Sequence, residues 1–367
     1  MFDAGVLANS PTTALRAYDP GHDLPLLRRR FGADIAELGS NENPLGPSPL
    51  SLEAMRAALE VSFRYPDPRG AALKSALCRR LNLDPERIAL GNGSHELLVL
   101  IAQCFADSAH SIVFAQYGFA VFALAAGASG AQTICVAALP RDHVDAPFGH
   151  DLEAMLVAVR NDTRIVYLAN PNNPTGTWFD DASLARFMRG VPETVLVVVD
   201  EAYHEYVDAP GLSSAIGLID EYPNLIVTRT FSKAYGLAGL RIGYLAAHAS
   251  VVSVIERLRE SFNVNSIALA GAEAALADVE HLEKVRAFNA SERAWLVDRL
   301  EARGYKALPS QTNFVLLDLG RDAEALDRRL LAHGVVVRAM AGYGLAQTLR
   351  VGVGSRRENQ RLLDALP

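Results

Sequence analysis

The stretch VTRTFSKAYGLAGLRIGY, residues 227–244, joins an apolar, β-branched run to a glycine-punctuated segment, with a lysine at the join. Lys233 is one of only four lysines in a chain that otherwise carries its positive charge on arginine. An ordinary surface lysine rarely follows a buried strand, so this one asks for a reason. Working outward, SIVFA, TICVAA, RIVYLAN, VLVVVDEAY and LIVTRTFS read as short, continuously apolar strands separated by helical or turn segments. SLEAMRAALE and AALKSALCRRL read as amphipathic helices, and RIALGN as a short strand leading into the helix SHELLVLIAQCFA. Apolar strands alternating with helices predict α/β architecture: a mostly parallel, doubly wound sheet covered on both faces. Ligands of such sheets bind at the carboxyl ends of the strands.

After Tyr244 the pattern changes. VVSVIERLRESF and a helical run from Leu269 through Arg303 lead to NFVLLDL, a helix, GVVVRAM and LRVGVG, a second and smaller α/β unit with antiparallel strands. The expected division is an N-terminal arm over 1–40, a large domain over 41–250 and a small C-terminal domain over 251–367. At 367 residues two domains are the natural prior. The net charge of −7 argues against nucleic acid or an anionic membrane as partner, while leaving room for small anions gripped by local arginines. Cys78, Cys104 and Cys135 are scattered, with no metal-ligand spacing, and are expected as buried packing residues in a reducing compartment. No stretch has the signature of a signal peptide or a membrane span, so a cytoplasmic protein is expected, with no metal.

The strand ends carry the chemistry. Val195–Val199 delivers Asp200 to the end of a buried strand, where it either caps the next helix or holds a positive charge on a buried heterocycle, with Tyr203 nearby. NPNNPTG, with Asn173, makes a rigid turn whose amides face the crevice. GNGSHE places Ser94 and His95 at the opening of a helix, where free backbone N–H groups and the dipole suit a phosphate. The third glycine of a dinucleotide fingerprint is absent, and so is a phosphate-binding GxxxxGK[ST] loop. Together with Lys233, Ser232 and Arg241, these groups are the equipment for pyridoxal phosphate held on a lysine as a Schiff base. The lysine must be rigidly placed and its pKa lowered, which a strand end close to other cations achieves.

On SNENPLGPSP, RYPDP, GNGSHE, NPNNPTG, DEAY, FSKAYGLAGLRIGY, GVVVRAM and LRVGVG, taken in that order, the chain resembles the fold-type I pyridoxal-phosphate aminotransferases over essentially its whole length. Within that family the likeness is greatest to the subgroup acting on histidinol phosphate, including the short arm with Tyr18. The resemblance implies that Lys233 bonds the cofactor aldehyde and then shuttles the proton. It implies that Asp200 pairs with the ring nitrogen, that Tyr203 and Asn173 contact the ring oxygen, and that Ser94, His95, Ser232 and Arg241 hold the phosphate. Tyr65 is expected to reach that phosphate from the other subunit of a homodimer. Tyr18, Asn43, Arg338 and Arg350 are expected on the substrate, Arg350 gripping a carboxylate and Arg338 a substrate phosphate. Two departures stand out. His95 replaces a frequent aspartate, and QYGFAVF replaces a Y-x-x-Y segment, so that Phe119 rather than Tyr117 aligns with the residue stacked on the cofactor. The expected reaction moves an amino group between histidinol phosphate and 2-oxoglutarate. An aromatic amino-acid transaminase and a threonine-phosphate decarboxylase stay open, and a non-enzymatic regulator is disfavoured because the first 40 residues lack a helix-turn-helix pattern.

Overall fold

The computed structural model describes residues 7–15, 21–32 and 35–367; Tyr18 lies outside them. In chain order the strands are β1 (Ala36–Glu37), β2 (Ile88–Gly91), β3 (Ser111–Ala115), β4 (Gln132–Val136), β5 (Thr163–Ala169), β6 (Leu196–Asp200), β7 (Leu225–Thr230) and β8 (Gly243–Ala247), followed by β9 (Lys306–Ala307), β10 (Phe314–Asp318), β11 (Val335–Val336), β12 (Arg338–Ala339) and β13 (Thr348–Gly352). Seven form one sheet in the order β2-β8-β7-β6-β5-β3-β4. The apolar runs of the sequence are its parallel strands, in register from Ala169 opposite Asp200 to Asp200 opposite Thr228. Alternate residues feed opposite cores: Val197, Val199 and Val227 pack on one face, Val198 and Ile226 on the other. Each such side chain contributes roughly 1.5–3 kcal/mol by leaving water.

One strand departs from the expectation. Residues 243–247, GYLAA, which overlap the end of the glycine-punctuated segment and are not among the expected strands, form β8, antiparallel to both β2 and β7. Its direction is what matters for the site. An antiparallel strand begins at the edge where its parallel neighbours end, so Arg241, just before β8, arrives beside the carboxyl ends of β6 and β7.

The helical run from Leu269 to Arg303 is broken. Helices Ser266–Ala277 and Val279–Glu301 meet at Asp278, which closes the first and caps the second by accepting from His281 N at 3.1 Å. Val251, Val252, Ala268 and Ala272 lie in the cores of the seven-stranded sheet, although they follow the expected boundary at 250. The smaller sheet runs β12-β13-β10-β9, all antiparallel. Within the expected arm, β1 pairs in parallel with β11 and buries Ala36 and Leu38 in the smaller sheet's core. The cysteines are free but not buried: Cys78 and Cys104 are half-buried, and Cys135 is exposed on β4, which forms an edge of its sheet. Among the described residues no helix is long and apolar enough to cross a membrane.

Candidate active site

A cavity of about 280 Å³ opens at the carboxyl edge of the larger sheet and is closed on its far side by the smaller one. The sheet side contributes Asp200 from the end of β6, Thr230 from the end of β7, and Ser232 and Lys233 from the turn beyond. Ser94 and His95 enter from the helix Gly93–Phe105, whose N-cap Asn92 makes no side-chain capping bond. The smaller sheet supplies Arg338 and Arg350, with Tyr343 from the turn between their strands.

Asp200 is buried, and its Oδ1 accepts from Thr228 Oγ1 at 2.8 Å. Burial pushes its carboxyl up to about 7, against the opposing pull of that hydrogen bond. Lys233 is half-buried; its Nζ donates to the carbonyls of Ser40 at 3.2 Å and Asn41 at 3.3 Å, and lies 5.8 Å from the Tyr203 ring centre. Withdrawal from water, and then the charge of Arg350, bring its amine down to about 8. Tyr203 accepts from Asn41 Nδ2 at 3.0 Å, and burial raises its hydroxyl to about 12, so it is a neutral donor at physiological pH.

The phosphate-facing corner depends on two glycines. A Cβ on Gly93 would sit 2.8 Å from an Arg241 nitrogen, and one on Gly243 would sit 2.8 Å from Ser94 N. Their absence lets the guanidinium and β8 close on the helix N-terminus. Arg241 itself has φ 55, a costly conformation for a non-glycine residue that its bonds to Ser232 Oγ (3.2 Å) and Ala238 O (3.0 Å) help to hold. Burial and the Arg241 charge lower the His95 pKa, so the imidazole is neutral at pH 7.

Across the cavity, Arg350 donates to Asn173 Oδ1 at 2.6 Å and to Gly39 O at 2.7 Å. Arg338 lies directly opposite Arg350 in the β12–β13 register. Two cations facing each other on one sheet face repel, and a ligand anion between them relieves this.

Most of the sequence-predicted residues therefore share one cavity: Ser94, His95, Phe119, Asn173, Asp200, Tyr203, Ser232, Lys233, Arg241, Arg338 and Arg350 all line it. Phe119 is in the wall, whereas Tyr117 packs edge-on against Phe148 and Phe122 stacks on Tyr167. Asn43 is not in the wall. Its amide is committed to Ala234 O, Gly46 O and Leu45 N, and the residues of SNEN that line the cavity are Ser40 and Asn41. Tyr65 is 83% exposed and stacks on Phe262, away from this chain's own cavity. Asn41, Thr230 and Tyr343 were missed; only Asn41 carried a signal, since asparagine tolerates the left-handed φ of 56 found there.

The model for aminotransferase class I and II matches residues 33–366. The chain belongs to the class I and II aminotransferase family. It is 46% identical over 369 residues to histidinol-phosphate aminotransferase 2 of Pseudomonas aeruginosa, covering 100% of this chain and 98% of that one. It is 48% identical over 356 residues to histidinol-phosphate aminotransferase 1 of Thiobacillus denitrificans, covering 96% and 91%. Among solved structures, histidinol-phosphate aminotransferase from Sinorhizobium meliloti in complex with pyridoxal-5'-phosphate superposes with a TM-score of 0.88 at 35% identity, covering 98% and 96%. This class I and II aminotransferase thus has the fold-type I architecture that its resemblance implied.

Proposed function

We propose that this chain is a pyridoxal-phosphate-dependent aminotransferase that moves an amino group between histidinol phosphate and 2-oxoglutarate, a step of histidine biosynthesis. The observation that carries the substrate reading is the opposed pair Arg338 and Arg350, lining the same cavity as Lys233. One donor bears a phosphate and glutamate bears two carboxylates, so the cavity needs two cationic grips. Planar two-point pairing suits Arg350 to either anion, and Arg338 to the phosphate.

The donor set fits pyridoxal phosphate. Asn41 Oδ1 is buried without a hydrogen-bond partner, a free acceptor beside Lys233 and Tyr203. The uncapped helix, Ser94, Ser232 and Arg241 suit a phosphate, and Asp200 suits a protonated ring nitrogen. Bound there, the cofactor supplies an electron sink for the bonds at the amino-bearing carbon. Tyr203 and Asn173 offer donors to the ring oxygen. Lys233, with its amine brought down to about 8, reaches its free base far more readily than an ordinary lysine and can take and return a proton. Arg350 and Asn173 fix each other at 2.6 Å, which holds the carboxylate grip in register with the ring-facing amide.

We also propose a cytoplasmic homodimer in which Tyr65 completes the partner's phosphate site; its exposed ring, stacked on the exposed Phe262, supports this. The two-unit division is part of the same proposal, with the seam nearer 278 than 250 because Val251, Val252, Ala268 and Ala272 pack with the larger sheet. The substrate test uses purified, cofactor-loaded protein and single amino donors, following the loss of the cofactor's visible absorbance. Conversion by histidinol phosphate, and not by phenylalanine or threonine phosphate, is the expected result; phenylalanine or threonine phosphate as the better reactant would replace this reading.

A further inference from the structure

Arg338 enters the cavity from β12, and behind it stand groups that the mechanism above does not use. A Cβ at Gly21 would fall 1.8 Å from Arg338 Nη1 and 3.0 Å from its Cζ, so the guanidinium rests against bare backbone, where φ is +93. The next residue, His22, pairs through Nε2 with Asp327 Oδ2 at 3.5 Å. Asp327 belongs to the helix Glu324–Ala332, has a side chain 13% exposed, and keeps Oδ1 buried with no hydrogen-bond partner. It does not line the cavity. Its helix packs against β12, the strand that carries Arg338, and burial raises its carboxyl pKa while the charges of His22 and Arg338 lower it.

We infer that Asp327 and Gly21 are positioning residues for Arg338, setting where its guanidinium meets the donor's phosphate and hence the preference for phosphate-bearing donors. The inference rests on the reading of Arg338 as a phosphate contact. The physical need comes from the register of β12 and β13. Arg338 sits opposite Arg350, and a long cationic side chain facing a like charge swings away unless something holds it. Asp327, on a helix packed against β12 and paired with the residue after Gly21, is placed to supply the hold, and a residue without a side chain supplies the space. A carboxylate that merely diluted positive charge would weaken phosphate binding, so the two roles predict opposite signs when it is removed.

The test compares Asp327→Asn, Gly21→Ala, Arg338→Ala and the Asp327→Asn/Arg338→Ala double variant of the cofactor-loaded enzyme. Single-turnover half-reactions with histidinol phosphate and with glutamate give an apparent Kd and a maximal rate for each. Asp327→Asn is expected to weaken histidinol-phosphate binding roughly three- to thirty-fold, with the maximal rate and the glutamate half-reaction changing far less. In the Arg338→Ala background the same substitution should add almost nothing. Gly21→Ala should reproduce the donor-selective loss, and it keeps the inference testable if Asp327→Asn fails to fold. Unchanged or tighter histidinol-phosphate binding in Asp327→Asn, or full additivity in the double variant, overturns the positioning role. If Arg338→Ala itself binds histidinol phosphate normally, the phosphate reading of Arg338 falls. If Arg338→Ala loses affinity while Asp327→Asn and Gly21→Ala do not, only the positioning role falls.

Discussion

The two walls of the cavity, one from the seven-stranded sheet and one from β12 and β13, are held in different ways. On the first, Asp200, Ser232 and Tyr203 stand at or just beyond strand ends buried in two cores, and each polar group is tied to a neighbour on the same sheet or on the Asn41 loop. On the second, Arg338 and Arg350 oppose each other across a two-residue ladder, and Arg350 is fixed by reaching over to Asn173 and Gly39. The first wall has its geometry from the core. The second borrows part of its geometry from the first. Chemistry common to all donors belongs on the rigid wall, and discrimination between donors on the borrowed one.

Substitutions can break or sharpen this contrast. Lys233→Ala should have the largest effect, lowering transamination at least about 10⁴-fold for every donor while leaving melting and circular dichroism near wild type. A donor-dependent loss at Lys233 would dissolve the distinction between the walls. Asp200→Asn should retain cofactor and lower turnover by about 10²–10³-fold, again for all donors, because an amide cannot hold a ring nitrogen protonated. Near-normal turnover would leave Asp200 as a structural cap.

On the other wall the losses should be smaller and unequal. Removing one charge-assisted contact costs about 1.5–3 kcal/mol, or roughly ten- to a hundredfold. Arg350→Ala should impose that on both half-reactions, and Arg338→Ala on histidinol phosphate far more than on glutamate. Equal losses for Arg338→Ala in single-turnover assays would erase its donor-specific role.

The smallest effect is on stability. In the folded chain burial raises the Asp200 carboxyl from 3.8 to about 7, so between those values the unfolded chain has released this proton and the folded chain has not. The contribution to stability therefore falls as pH rises through that window and reaches its full penalty above about 7. After cofactor removal, Asp200→Asn should melt a few degrees higher than wild type at pH 8, with the gap closing by pH 4. A gap independent of pH would mean that Asp200 is not the group responsible.

The first wall was largely legible in the sequence, because an apolar strand announces its own end: VLVVV puts Asp200 there and LIVTRTFS leads to Lys233. The second was less so. Arg338 and Arg350 were recognisable as arginines on strands, but their opposition depends on a register that no local pattern encodes. β8 was missed because three glycines precede or open it and mask its strand period, although its antiparallel course is what brings Arg241 to the site. Asn43 was expected and Asn41 was not, because nothing local in SNEN shows that the Asn43 amide is claimed by the Ala234 carbonyl while the Asn41 amide reaches the Tyr203 hydroxyl. The boundary at 250 followed a change in sequence texture, whereas packing joins the next two helices to the larger core. Tyr343 arrives on a turn with no sequence signature of its own.

The parallel pairing of β1 with β11 has a mechanical side. Leu38 is bonded to the smaller unit through Val336 O at 2.8 Å and Gly352 N at 2.6 Å, while Asn41 and Asn43 are bonded to Tyr203 and Ala234 of the larger one. The chain therefore crosses between the two sheets in a few residues, at about 3.8 Å per step, with little slack. Those residues include Ser40 and Asn41, whose carbonyls hold the Lys233 amine. A small displacement of one sheet against the other pulls on this short tether as on a bowstring, and the amine sits at its midpoint. One short run of backbone thus holds both the Lys233 amine, through Ser40 O and Asn41 O, and the Arg350 guanidinium, through Gly39 O.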